Sequence, residues 1–266
     1  FCVDLMVQQA KEGKEVAMLW PGQMGFIKKK TKVKDRGDVV LKHQKVKSYE
    51  IINPLPVSFD EGINDLSTFT ADVDKKIYSE LLKKYRPDVI HVHTLMGLHK
   101  SFLEAAKEKG IRLVFTTHDF FPICPKVTMF RKGEICKHIE DCSECNVCNV
   151  TALGLNKIRI LQSPIYRFMK DSFVVKKLRK QHRDNYLSEN NVDDEVVPVG
   201  TSGDYKRLRE YYKSMLELMD IIHYNSSVTK NVYESVYGKL NNAVIGITHS
   251  DIKDNRHLKD FSNDKL

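Results

Sequence analysis

The strongest constraint on the fold is a repeated unit, in which a helix-like stretch precedes a short run that is apolar or nearly so. Wholly or largely apolar runs, separated by helices of about ten residues, are typical of strands that are buried on both faces of a parallel sheet. The predicted fold class is therefore α/β, with a doubly wound parallel sheet. The helix-like stretches and the runs that follow them are residues 1–12 and 16–20, 68–85 and 89–93, 100–109 and 111–116, and 205–219 and 220–224, with a last helix over 226–237 and an extended run over 243–247.

Three regions interrupt this pattern. Residues 39–52 alternate in polarity and predict a hairpin or edge strands, and residues 54–70 predict a long loop. Residues 121–202 are expected to form an insertion, with a cysteine-rich loop followed by a basic helical stretch. Within that stretch, apolar residues recur at steps of three and four over residues 153–185 and predict one or two amphipathic helices. Packing on the sheet is the preferred interpretation of these helices, and docking at a membrane interface is the alternative. The apolar residues are Ile158, Leu161, Ile165, Phe168, Met169, Phe173 and Leu178.

The charge is basic and unevenly distributed. The chain has 43 Lys and Arg against 35 Asp and Glu, and two basic clusters lie at residues 28–34 and 157–183. These clusters predict either solvated surfaces or contact with anionic phospholipid or a pyrophosphate-linked substrate. Nucleic acid is not an expected partner, because no C2H2 zinc finger, RNP signature or aromatic ladder accompanies the basic runs.

The sequence carries no signal for export or for a membrane span. No apolar run approaches the roughly 20 residues that a membrane helix needs. The first residues, Phe1 to Asp4, show no initiator Met, basic n-region or apolar h-region, so we expect that the start of a longer chain is missing. The expected location is cytoplasmic, with peripheral contact at the inner face of the plasma membrane.

Five of the six cysteines lie within 25 residues. In a reducing compartment such a cluster more often binds metal than forms disulfides, so a structural zinc ion held by four of the five thiolates is expected. The C-x2-C-x2-C run also resembles part of an iron–sulfur ligand set, and free thiols or disulfides are the third interpretation. The residues are Cys124, Cys136, Cys142, Cys145 and Cys148.

Histidines follow or end the predicted strands. His91 and His93 lie on one side of the strand predicted over residues 89–93. His118 and Asp119 come after the strand predicted over residues 111–116. Ligands of doubly wound sheets bind beyond the carboxyl ends of strands. One interpretation is a metal-dependent hydrolase that uses His91, His93, His118 and His223, while the other treats His91 as a buried, hydrogen-bonded histidine. No P-loop, G-x-S-x-G or G-x-G-x-x-G motif is present.

Three segments carry a resemblance to a known family. Residues 87–93 (PDVIHVH), 114–120 (VFTTHDF) and 124–126 (CPK) resemble the amino-terminal half of family-4-type, or group 1, glycosyltransferases of the GT-B fold. The subgroup that they resemble has a cysteine cluster after its His-Asp motif and acts in bacterial capsule and exopolysaccharide synthesis. The resemblance implies a Rossmann-like amino-terminal GT-B domain, and a non-catalytic module that binds glycan or lipid remains a further interpretation.

The resemblance also implies roles for individual residues. His118 corresponds to the active-site histidine that faces the donor sugar, with Asp119 beside it, and His93 and Thr94 lie on the acceptor side. The implied activity is hexosyl transfer, with retention, from a nucleotide sugar to a sugar or a lipid-linked oligosaccharide.

The expected domain arrangement follows from the same resemblance. Residues 1–250 correspond to the amino-terminal domain without its first strand, and residues 251–266 begin the interdomain linker. The carboxy-terminal donor-binding domain of the family is expected to be absent from this chain. On this interpretation the chain is the acceptor-binding half of an enzyme and is inactive without the other half.

Overall fold

A computed structural model describes residues 1–26, 30–59, 61–131, 134–173, 175–181 and 200–247. It has the mixed α/β architecture that the repeated units predict. The strands are β1 (Ala17–Pro21), β2 (Lys32–Leu41), β3 (Gln44–Ile52), β4 (Val89–Val92), β5 (Arg112–Thr117), β6 (Phe130–Arg131), β7 (Glu134–Ile135), β8 (Ile221–Tyr224) and β9 (Asn242–Val244).

The helices range from a single turn to four turns, and they include a helical segment over residues 175–181. Ser226 caps the last of them by accepting a hydrogen bond from the Thr229 amide at 3.1 Å. The other helices are α1 (Cys2–Lys11), α2 (Leu66–Phe69), α3 (Lys76–Tyr85), α4 (Lys100–Glu108), α5 (Cys145–Cys148), α6 (Leu155–Leu161), α7 (Pro164–Met169), α8 (Ser202–Leu216) and α9 (Ser227–Tyr237).

The central sheet is wholly parallel and has the order β4-β5-β8-β9. Leu113 and Phe115 of β5 and Ile222 of β8 are buried, because helices cover the sheet. Helix α4 packs against β5, and α9 packs against β8. This is the Rossmann-like, doubly wound arrangement that was expected.

The remaining long strands form a second sheet with the order β1-β3-β2. Strand β1 is parallel to β3, whereas β2 and β3 form the predicted antiparallel hairpin, with an irregularity between Asp35 and Asp38. In the described residues β1 is not hydrogen-bonded to β4, so the strands form two sheets where one continuous sheet was expected.

Two predicted elements differ from the structure. The helix expected over residues 68–85 is divided into α2 and α3. Between them, Asp72 and Asp74 accept hydrogen bonds from the backbone amides of Val73 and Lys76, and such local bonds compete with helical ones. The loop predicted over residues 54–70 contains α2.

The basic helical stretch packs on the sheet domain through a minority of its apolar residues. Ile158 is fully buried, and Leu161 packs against the same core. The interpretation that the whole apolar stripe packs on the sheet is wrong for Ile165, Phe168, Met169, Phe173 and Leu178, which are all exposed. Only the part of the apolar stripe that lies on α6 contacts the core.

Some sequence predictions concern residues outside the described ranges. These are the linker at 251–266, residues 248–250 of the predicted amino-terminal domain, residues 28 and 29 of the first basic cluster, and residues 132, 133, 174 and 182–199 of the predicted insertion, which include the end of the second basic cluster. Among the helices that are described, none has the length and hydrophobicity needed to span a bilayer.

Candidate functional site

The centre of the candidate site is a pair of histidines beyond two neighbouring strands. The parallel register of β4 and β5 pairs Val92 with Phe115, so the residues after these strands emerge at the same edge of the sheet. There the Nδ1 atom of His93 lies 3.0 Å from the Nε2 atom of His118, within hydrogen-bonding distance. His91 stacks beneath the pair, with its ring centroid 4.2 Å from that of His93. His93 thus contacts both His91 and His118.

The start of α1 completes the site. The ring of Phe1 lies 5.9 Å from the ring of His93 and 5.4 Å from the ring of His118. Ligand atoms of Cys2, His93 and His118 lie within 4.8 Å of one another, and within the described ranges this is the only such group of three potential metal ligands. The sequence analysis missed Phe1 and Cys2, because nothing in the sequence signals a contact between residues more than 90 positions apart.

The four histidines of the hydrolase interpretation do not converge on one metal position. His91 Nε2 lies 2.6 Å from Thr116 Oγ1, and His223 Nδ1 lies 2.9 Å from the same hydroxyl. His223 Nε2 lies 2.7 Å from the carbonyl oxygen of Ile245. His91 is therefore hydrogen-bonded, as one of the two interpretations expected, although it is half-buried and not fully buried.

These contacts define a direction for the hydrogen bonds. The Ile245 carbonyl can only accept, so His223 donates through Nε2 and, when neutral, accepts through Nδ1. Thr116 then donates to His223 and accepts from His91. The network orients the His91 ring, which in turn lies against His93.

The imidazoles of the site are held neutral. Burial lowers the pKa of His93 to about 3, with smaller contributions from its histidine neighbours. Burial likewise lowers the pKa of His91 to about 4, with His223 and His118 adding to the effect. The pKa of His118 is lowered by burial, and the adjacent Asp119 opposes this shift. At neutral pH the site therefore presents uncharged rings that can donate and accept hydrogen bonds.

Thr94 and Asp119 shape the loops that follow the two strands. Thr94 Oγ1 accepts a hydrogen bond from the Met96 amide at 3.1 Å. Asp119 Oδ1 accepts from the Phe121 amide at 2.9 Å, and the Asp119 carbonyl accepts from the Tyr233 hydroxyl at 2.8 Å. Thr94 and Asp119 thus stabilise the turns that directly follow His93 and His118.

A close backbone approach sets the position of the loop after β4. Gly97 has φ +76°, and a Cβ atom at this position would lie 2.5 Å from Cβ of Pro21, at the end of β1. Only glycine fits this conformation and this contact. The loop that carries Thr94 is consequently packed against the end of the second sheet.

The cysteine cluster follows the same strand end as His118. Cys124, Cys136, Cys145 and Cys148 line one cavity of about 480 Å³, whereas Cys142 is fully buried in the main hydrophobic core. The Cys142 thiol is nevertheless hydrogen-bonded to the Cys145 thiol, so all five cysteines lie in or beside this region.

Comparison with known proteins identifies one family. The family model described as Glycosyltransferase Family 4 matches residues 2–139, which is just over half of the 266 residues. The match contains the whole histidine pair, Thr94, Asp119 and the first two cysteines of the cluster. No curated protein and no solved structure matches the chain.

Proposed function

The chain belongs to glycosyltransferase family 4, and on that premise we propose that it forms the acceptor-binding side of a nucleotide-sugar-dependent enzyme of bacterial surface polysaccharide synthesis. The observation that carries this proposal is the contact between His93 and His118 at the carboxyl ends of β4 and β5, within the matched region. Crevices at this edge of a doubly wound sheet are where such domains bind their ligands.

His118 is the residue proposed to face the donor sugar. Glycosyl transfer passes through a transition state in which positive charge develops at the anomeric carbon. A protonated imidazole at this position would oppose that charge, whereas a neutral ring can hydrogen-bond to a sugar hydroxyl without opposing it. The lowered pKa of His118 therefore suits the proposed role. His93, at 3.0 Å, orients the ring of His118.

The acceptor is proposed to bind beside Thr94 and His93. Since the Thr94 oxygen already accepts a hydrogen bond from the Met96 amide, its hydroxyl hydrogen can donate to an acceptor hydroxyl. Asp119 is proposed to act by positioning His118, because its carboxylate closes the turn that follows that histidine. The hexosyl specificity and the retaining outcome are carried over from the family resemblance.

An exposed surface supports a lipid-linked acceptor. We call it the basic aromatic surface, and its most exposed apolar side chains are Phe168, 91% accessible, and Phe173, 80% accessible. Side chains of this kind beside Lys and Arg are typical of helices that dock into an anionic bilayer interface. The basic aromatic surface comprises Ile165, Phe168, Phe173 and Leu178 with Arg167, Lys170, Lys176, Lys177, Arg179 and Lys180.

Turnover is proposed to require the family's carboxy-terminal, donor-binding domain. The test measures nucleotide release from UDP-, GDP- and ADP-sugars with a bacterial lipid extract, with and without a separately expressed carboxy-terminal half. Turnover only in the combined sample is the expected result. Turnover by the chain alone would contradict the assignment of donor binding to the other half, and silence in both samples would contradict the transferase proposal.

A further inference from the structure

The cysteine-lined cavity lies apart from the histidine pair and has no part in the proposed transfer. It has a volume of about 480 Å³ and lies between the β6–β7 hairpin and α5. Four thiols line it, together with His138 and Glu144, whose side chains are 3.3 Å apart. Four thiols around one cavity are the complete ligand set of a structural zinc site.

Two of the four cysteines are placed by helical geometry. Cys145 and Cys148 begin and end the single turn of α5, so their side chains share one side of the helix. The amide of Cys148 donates to the carbonyl of Glu144 at 2.8 Å, which closes this turn. The pair therefore faces the cavity as one unit.

The other two cysteines flank the β6–β7 hairpin. Cys124 precedes the hairpin, and its amide donates to the Phe120 carbonyl at 2.7 Å. Cys136 follows β7 directly, and its amide donates to the Met129 carbonyl at 2.8 Å. An ion bound by all four residues would consequently join the hairpin to α5, two elements that have few apolar residues of their own.

The fifth cysteine, Cys142, lies beside the cavity and contacts one of the four. Cys142 is 0% exposed and does not line the cavity, and its thiol is hydrogen-bonded to the thiol of Cys145. The run Cys142-x2-Cys145-x2-Cys148, which suggested an iron–sulfur ligand set, thus has two residues lining the cavity and the third in contact with Cys145.

We propose that the four cysteines that line the cavity, Cys124, Cys136, Cys145 and Cys148, bind one structural Zn²⁺ ion. In the part of the chain that is described, only Cys2, His93 and His118 bring three ligand atoms within 4.8 Å, so the four thiols must close around the ion when it binds. Zinc binding is thereby coupled to the folding of this segment.

The ion would stabilise a segment on which the core of the domain depends. Asn149, which follows α5, accepts a hydrogen bond from the Ile63 amide at 2.8 Å. Arg209 of α8 donates to the carbonyl of Ile123 at 2.8 Å and also to the carbonyl of Ile139. The segment between Cys124 and Cys148 is in this way tied to the rest of the fold from both ends, so loss of zinc is expected to loosen a large part of it.

The first test measures the metal content of the full chain. The chain is purified under reducing conditions, and bound metal is quantified by elemental mass spectrometry. One zinc ion per chain is expected for the wild type and for Cys142→Ala. Cys145→Ser and Cys148→Ser are expected to lose the ion, and Cys2→Ser is the control for a cysteine outside the cavity. A wild-type chain without zinc, or a brown chain that contains iron, would overturn the proposal. Retention of zinc in the Cys145→Ser and Cys148→Ser variants would also overturn it.

A second test uses the wild-type chain alone, in case the serine variants fail to fold. Co²⁺ is added to the chain after zinc has been removed, and the intense visible absorption of tetrahedral thiolate coordination is expected. A thiol reagent should then modify four more cysteines after a chelator is added than before it. Four cysteines that are already paired in disulfides under reducing conditions would contradict the zinc site.

Discussion

The Nδ1 atom of His93 lies 3.0 Å from the Nε2 atom of His118, although 25 positions separate them in the chain. The contact exists because β4 and β5 are parallel neighbours, so both histidines follow their strands at the same edge. It places a ring held neutral by burial beside the residue proposed to face the donor sugar. The predictions below test this pair, its supports and the surface beside it.

Removal of His118 should abolish most of the proposed activity. In the sample combined with the carboxy-terminal half, His118→Ala is expected to lower kcat by about 100-fold, the usual loss when one transition-state hydrogen bond is removed. Nucleotide release measures the effect. His43→Asn is the control, because His43 is exposed in the β2–β3 turn with φ 72°, which asparagine tolerates. Equal rates for the two variants would contradict the role of His118.

Thr116, which lies between two histidines, should contribute more to the free energy of unfolding than Thr117, which is equally buried. Thr116→Val leaves the imidazole nitrogens of His91 and His223 without their shared hydroxyl and is expected to lower the free energy of unfolding by about 1–3 kcal/mol. Thr117→Val is the matched control, since it removes only a 3.3 Å hydrogen bond to the His223 carbonyl. Urea denaturation compares them, and a loss in Thr117→Val as large as that in Thr116→Val would show that the network contributes little.

Stability should fall in mild acid. The folded-state pKa values of His91 and His93, about 4 and about 3, lie below the ordinary value of 6.5. Between these values the unfolded chain binds more protons than the folded one, so stability rises with pH and this contribution is complete above about pH 6.5. At pH 5 the loss is about 1 kcal/mol for each ring, after allowance for partial exposure.

The measurement is urea unfolding at pH 7.5 and pH 5, in the wild type and in a variant with His91→Gln and His93→Gln. The variant should lose less stability on acidification than the wild type. His99, whose pKa burial lowers to about 4, remains in both proteins and leaves a residual pH dependence. Identical pH dependence in the two proteins would contradict the assignment of these protons.

Gly97 should tolerate alanine much less well than Gly110. Both have positive φ, +76° and +67°, but a Cβ at Gly97 meets Pro21 at 2.5 Å, whereas a Cβ at Gly110 meets nothing within 4 Å. Gly110→Ala therefore carries the backbone penalty alone, about 1 kcal/mol, and Gly97→Ala adds overpacking of about 1–3 kcal/mol. Thermal unfolding compares the two variants, and equal melting temperatures would show that the loop moves away without loss.

The basic aromatic surface should bind anionic vesicles. A variant with Phe168→Ser and Phe173→Ser is expected to bind phosphatidylglycerol vesicles at least about tenfold more weakly than the wild type, because burial of both rings is lost. Co-sedimentation measures the binding. Val228→Ser, which changes an exposed residue of α9 with 69% accessibility, should leave binding unchanged. Equal binding by all three proteins would remove the membrane as the partner of this surface.

The sequence by itself determined the fold class and the order of the elements. Apolar runs such as residues 111–116 can be covered only by helices on both faces of a parallel sheet, so their periodicity predicts the architecture without knowledge of any contact. The positions of His93 and His118 at strand ends followed from the same pattern. The family, too, was recognisable from short segments around these residues.

Only the tertiary structure decided which distant residues share a site. It brought Phe1 and Cys2 to the histidine pair, left Phe168 exposed, and placed four of the five clustered cysteines around one cavity. The physical reason is that periodicity reports which side of an element is apolar, whereas long-range packing determines what covers that side. Contacts across a hundred residues depend on the arrangement of whole elements, and no local spacing records that arrangement.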